Sequence, residues 1–252
     1  MGVYLTLTRR ELSAFFLSLY GYVTIAAVVF LMGYSFVTLL DQLKGGAMTE
    51  PVTQLYYSTP YFWFLVLLAG PVITMRLFSL EKASGTFETL MTAPVGDLQV
   101  VLAKFTAALV FYMLMWLPSL GYILVLRHFV TNVEVWDPGL VGGTFLGIFL
   151  LGCLFISLGC FASAMTRNQI TAAMVSFTLG FSLWLLSFIV MTGRLEIPVD
   201  WLAVLVSQFS LIDDMGDFAR GVIDTRHIVF YATLTVLFLF FTLRVVESRR
   251  WK

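Results

Sequence analysis

Charge is scarce in this chain. Only 12% of its 252 residues are Asp, Glu, Lys or Arg, against about 25% in soluble domains. Hydrophobic residues make up 60% and mean hydropathy is +0.92, so the chain reads as an integral membrane protein with little room for a soluble domain. The net charge is zero, with neither a basic face nor an acidic tail, and no nucleic-acid partner is expected. The two cysteines, Cys153 and Cys160, share one apolar stretch at a spacing that is neither CxxC nor a disulfide framework. They read as small packing residues. The two histidines, His128 and His227, stand at the ends of apolar runs, and HExxH is absent. No metal cluster or imidazole-activated nucleophile is therefore expected. GxxxxGK[ST] is also absent, so the chain has no such cradle for ATP phosphates and is not expected to be an enzyme or to hold a cofactor.

What is present is a series of long apolar runs. A spanning helix needs roughly 20 apolar residues. Runs free of Asp, Glu, Lys, Arg and His cover 12–40, 51–75, 105–126, 138–166 and 168–193. A sixth, 228–243, reaches useful length if Arg244 snorkels and Val245 and Val246 join it. The expected architecture is all-α, one transmembrane domain over 1–252, with spans at 20–40, 57–75, 105–126, 139–165, 170–192 and 228–246. Pro71 and Pro118 are expected to kink spans two and three. Gly139, Gly143 and Gly147 repeat at four-residue spacing and read as a close-packing stripe. No internal repeat is evident. The span interiors carry no ionisable residue, so an ion-coupled carrier has no visible relay here.

Six spans put both termini on one side. If that side is cytoplasmic, the inner segments hold ten of the Lys and Arg residues and the outer segments five, the direction of the positive-inside rule. Residues 1–19 place Leu5, Leu12, Phe15, Phe16 and Leu19 at helical spacing, which reads as an amphipathic helix in the inner interface, with Gly21 allowing the turn into span one. The longest outer loop carries a helical segment over 200–223, with Asp200 as a cap before Trp201 and Ile212, Met215, Phe218, Ala219 and Val222 on one face. Asp213, Asp214 and Asp217 cluster there without EF-hand spacing and read first as a solvated face, second as a cation site.

Between spans two and three lies "LEKASGTFETLMTAPV", residues 80–95. Leu80, Ala83, Phe87, Leu90 and Met91 share one face of a helix expected over 80–93, with Pro94 ending it and Asp97 capping the next. Gly85 in its middle costs about 1 kcal/mol relative to Ala. A close-fitting partner surface gives a reason for that glycine; a helix floating on lipid does not.

This stretch resembles the "E-x-x-x-G-T-hydrophobic-E-x-L-hydrophobic-T-x-P" signature of ABC-2 type permeases, the membrane subunits of ATP-binding-cassette transporters. The matched positions are Glu81, Gly85, Thr86, Glu88, Leu90, Thr92 and Pro94. "SAMTRNQITAA" (163–173), "FARGVIDTRHIVFY" (218–231) and "LRVVESRRW" (243–251) extend the resemblance over nearly the whole chain, which looks most like the gliding-motility-associated subgroup.

The resemblance implies a permease, in the exporter sense, in a prokaryotic cytoplasmic (inner) membrane with both termini cytoplasmic. Residues 1–19 would be the elbow helix and 80–93 the coupling helix, seated in a cleft of a separate ABC ATPase. Two ATPase copies, carrying ATP and Mg, would drive two permease copies, the second identical or a paralogue. Membrane lipids are further partners, and the resemblance admits an accessory envelope protein. Phe87, Leu90 and Met91 would pack against the ATPase, with Glu81, Lys82 and Glu88 as polar contacts around Gly85 and Thr86. Tyr34, Phe177, Thr178 and Phe181 would line a path between the permease copies. Three alternatives stay open: an intramembrane enzyme, which lacks clustered His, Asp or Ser inside the spans, an ion-coupled secondary carrier, and a membrane scaffold of a surface or motility machine. A plainer reading of 80–93 lays its apolar face on lipid.

Overall fold

A computed structural model describes residues 2–43, 52–57, 59–87, 95–129, 138–192 and 209–248. Its described residues form helices and no strands. In chain order the helices are α1 (Val3–Phe16), α2 (Leu19–Leu43), α3 (Val52–Tyr57), α4 (Pro60–Thr74), α5 (Ser79–Ser84) and α6 (Asp97–Trp116). They continue with α7 (Pro118–Phe129), α8 (Pro138–Met165), α9 (Gln169–Met191), α10 (Leu211–Ala219) and α11 (Thr225–Ser248). Among the described residues, six stretches are long and apolar enough to cross a membrane: α2, α4 with α5, α6 with α7, α8, α9 and α11.

The central element is α8, which packs on α11, α9, α4, α10 and α6. It reaches so many neighbours because its glycines let other backbones close in. Gly143 and Gly147 receive α10: a Cβ on Gly143 would stand 2.9 Å from the Phe218 carbonyl oxygen, and one on Gly147 2.9 Å from the Phe218 Cβ. Gly159 lies against α4, where a Cβ would fall 2.1 Å from the Thr74 hydroxyl. The glycine stripe is thus used inside the chain.

Several boundaries move from their sequence-based positions, each for a local reason. The amphipathic N-terminal helix stops at Phe16, and the change of direction comes at Leu17 and Ser18 rather than at Gly21. Gly21 serves that corner from inside α2, since a Cβ there would lie 2.1 Å from the Phe15 carbonyl oxygen. The second span begins at Pro60, capped by the Thr59 hydroxyl, which accepts the Phe62 N–H. The third helix starts eight residues before the apolar run, at Asp97, and breaks at Leu117, just before Pro118. Gly96 is its N-cap, so Asp97 sits in the first turn, where a carboxylate suits the positive end of the helix dipole.

The helix expected over 80–93 is not continuous. Gly85 closes α5 at φ +75°, a left-handed conformation that L side chains rarely adopt, and Thr86 and Phe87 are helical again. Glycine here is a C-terminal cap, not a mid-helix weakness. Glu88, Leu90, Met91, Thr92 and Pro94 lie outside the described residues, as do Asp200 and Trp201; of the helical segment expected over 200–223, the described part is helical only over α10, from Leu211 to Ala219.

Candidate functional site

The inner-face site is built where α4 runs out. After Thr74 the chain turns through residues 75–78 into α5. Ser163, on the last turn of α8, holds that turn: its hydroxyl accepts the N–H groups of Phe78 (3.1 Å) and Ser79 (3.2 Å) and donates to the Met75 carbonyl (3.4 Å). Lys82 donates to the Ala164 carbonyl and lies 5.2 Å from the centre of the Phe87 ring. An ammonium at a helix C-terminus meets the negative end of the dipole, which is why α5 docks there. The stretches around Glu81 and Ser163, both singled out in the sequence, therefore touch each other.

On the other side of α5, Glu81 joins an ion cluster that the sequence did not reveal. Its Oε1 receives the Lys104 ammonium at 2.9 Å and the Arg10 guanidinium at 3.3 Å. Glu11 takes the same two cations, Lys104 at 3.2 Å and Arg10 at 2.6 Å. The hydrogen bond to Glu11 raises the Arg10 guanidinium still further above its ordinary range. Lys104 is only 2% exposed and packs 5.4 Å from the Phe78 ring centre. Its burial follows from the early start of α6, which carries it two turns inside the helix rather than in a loop. The helix α1 is fastened to α6 a second time by Tyr4 and Thr106 (2.7 Å) and by Phe15 stacked on Phe111.

Glu81 and Lys82 are engaged within the chain, on α1 and α6 and on α8, and Phe87 is buried. The outward rim is Leu80, Ala83, Ser84, Gly85 and Thr86.

The four residues expected along a path fall into two places. Tyr34, on α2, meets Tyr61 of α4 edge-on at 5.6 Å. Phe177 and Phe181 stack at 5.8 Å on α9, in a ladder continued by Trp184 and Phe188. Thr178 turns its hydroxyl back onto the Met174 carbonyl at 2.8 Å, as helix-borne threonines do.

At the opposite face, α10 packs beside the start of α11. Asp214 is buried and pairs with His227 at 2.8 Å, and Asp217 stands 3.6 Å from the other ring nitrogen. Burial pushes the Asp214 carboxyl up to about 6, against the downward pull of His227. With Asp213, Asp224, Arg226 and Phe230 they line a cavity of about 190 Å³. Among the described residues no group of three or more His, Cys, Asp or Glu is arranged to hold a metal ion.

The family described as ABC-2 family transporter protein matches residues 38–244, from within α2 to within α11. No curated protein matches the chain. The match is to the family as a whole and does not support the narrower gliding-motility-associated group. It takes in α4 to α6, and with them Glu81, Lys82 and Lys104, together with all of α8, α9 and α10. Its length, well over half of the chain, shows that this multi-pass membrane protein belongs to the ABC-2 family of transporter proteins.

Proposed function

We propose that the chain is the membrane subunit of an ABC exporter and that residues 79–87 receive the motion of a separate ATPase. ABC-2 membrane subunits normally pair with such an ATPase. The observation that carries this reading is the tethering of α5 to three other helices: to α8 through Ser163 and Lys82, and to α6 and α1 through Glu81. A partner pressing on the rim at Ala83, Ser84 and Thr86 pushes on an element tied to α1, α6 and α8. It must shift α6 and α8 together, and α8 is the helix on which most of the bundle packs. ATP and Mg belong to the ATPase, two copies of which would serve two permease copies in an inner membrane with the termini cytoplasmic.

The test is co-purification with ABC ATPase subunits co-expressed with it, followed by ATP hydrolysis in lipid nanodiscs. Ala83→Arg and Thr86→Arg are expected to lose the complex, because they alter only the outward rim. Glu81→Gln is expected to keep the complex but blunt the response of hydrolysis to the membrane subunit. Unchanged assembly and hydrolysis in both rim variants would refute the assignment. Transport that persists without the ATPase and follows an ion gradient would instead make the chain a secondary carrier.

A further inference from the structure

A second feature of the inner face lies beside the cluster, in the corner between α1 and α2. There the chain leaves a cavity of about 170 Å³. Its walls are largely apolar, with Phe15 from α1, Leu77 from the turn after α4 and Leu80 from α5. Ser18 and Tyr20 border it from the corner, and Arg76 closes one side.

Arg76 is the unusual member. Its guanidinium lies 5.0 Å over the Tyr20 ring, and among the described residues it has no carboxylate partner. Glu11 also borders the cavity, but it is already neutralised by Lys104 and Arg10. Arg10 and Lys104 balance Glu11 and Glu81, which leaves Arg76 as a cation on the cavity wall that these carboxylates do not neutralise. A guanidinium stays protonated at any working pH, and its planar fork suits a phosphate.

The surroundings say which phosphate. Leu17 and Leu19, on either side of Ser18, are 86% and 80% exposed. On a chain that crosses a membrane, two such leucines at a helix corner face acyl chains. Leu17 and Leu19 flank Ser18 and Tyr20 of the cavity wall, so a bilayer that covers these leucines brings its headgroups to the cavity. Its volume holds a headgroup phosphate but not two acyl chains, which must continue outside.

We propose that this cavity binds the phosphodiester of an anionic membrane phospholipid on Arg76, with its acyl chains leaving past Leu17 and Leu19. The tyrosine ring supports the guanidinium from the other side and keeps it aimed. Binding does not depend on which ATPase, if any, partners the chain.

The experiment is native mass spectrometry of the full chain in detergent, titrated with phosphatidylglycerol, with diacylglycerol of the same chains and with inorganic phosphate. Phosphatidylglycerol is expected to bind about tenfold more tightly than diacylglycerol, a difference of about 1.4 kcal/mol. Arg76→Gln should bring the two lipids level, and Arg76→Lys should restore most of the preference. An unchanged preference in Arg76→Gln overturns the proposal. Inorganic phosphate that competes at equal concentration also overturns it, by making the site one for soluble anions. Should the Gln variant fail to fold, phosphatidylglycerol with a photoreactive acyl chain is applied to the native chain. Labelling at residues 14–20 is expected, and labelling confined to other segments overturns the assignment.

Discussion

Replacing Lys104 by Met probes the inner cluster most directly. The ammonium is 2% exposed and stands 2.9 Å from Glu81 and 3.2 Å from Glu11. At about 3 Å and an effective dielectric near ~20, each pair attracts by roughly 5 kcal/mol before desolvation is counted. Desolvation removes most of that sum, and deleting one partner of a buried pair costs about 3–5 kcal/mol. Arg10 would remain beside both carboxylates, but its side chain is 53% exposed, so it compensates only weakly. Both carboxylates also keep some contact with solvent, at 13% and 18%, which places the expected loss near the lower end. That end is about 3 kcal/mol. The assay is reversible unfolding in mixed lipid–detergent micelles for Lys104→Met, Glu81→Gln and the double variant. The double variant should lose less than the sum of the singles by about 1–3 kcal/mol. Additivity within about 0.5 kcal/mol would show that the two residues do not interact and would refute the cluster.

Three further outcomes can be checked on the same preparations. Gly159→Ala should lower the unfolding midpoint, because its Cβ meets Thr74 at 2.1 Å, whereas Gly142→Ala, with nothing within 4 Å, should not. The expected loss for Gly159→Ala is about 1–3 kcal/mol, the range for overpacking. Gly85→Ala meets no neighbour but must hold φ +75°, so a loss of about 1–2 kcal/mol is expected, and less for Gly85→Asn. A loss equal in Ala and Asn would mean that backbone strain is not the cause. Asp214 has a folded-state pKa raised from 3.8 to about 6, so the folded form binds the extra proton between those values. Its contribution therefore falls as pH rises from about 4 through 6 and is level above. Asp214→Asn should flatten that part of the pH profile, and a slope that survives the change assigns it to another group.

The candidate site was legible in part. Glu81, Gly85 and Phe87 stood out because the motif names them, but a linear pattern cannot say which side chains turn inward. Lys104 lies before the apolar run of the third span, and nothing in the linear order pairs it with Glu11 and Glu81. Its place in the cluster depends on α6 starting at Asp97 and on α1 folding back over that helix. Ser163 lay in a recognised stretch, yet nothing local marks a serine as the acceptor for two N–H groups more than eighty residues earlier.

The sequence by itself determined that the chain is helical and membrane-spanning and that six stretches are long enough to cross. Hydrocarbon leaves no other way to satisfy the backbone of runs this long and apolar. Its motif also pointed to the ABC-2 family. Only the tertiary structure decided that Glu81 and Lys82 are internal tethers, that Gly85 ends a helix and that Arg76 is a cation the cluster's carboxylates do not neutralise. Those outcomes are set by which charges meet across helices distant in sequence, and one-dimensional order holds no record of such distances.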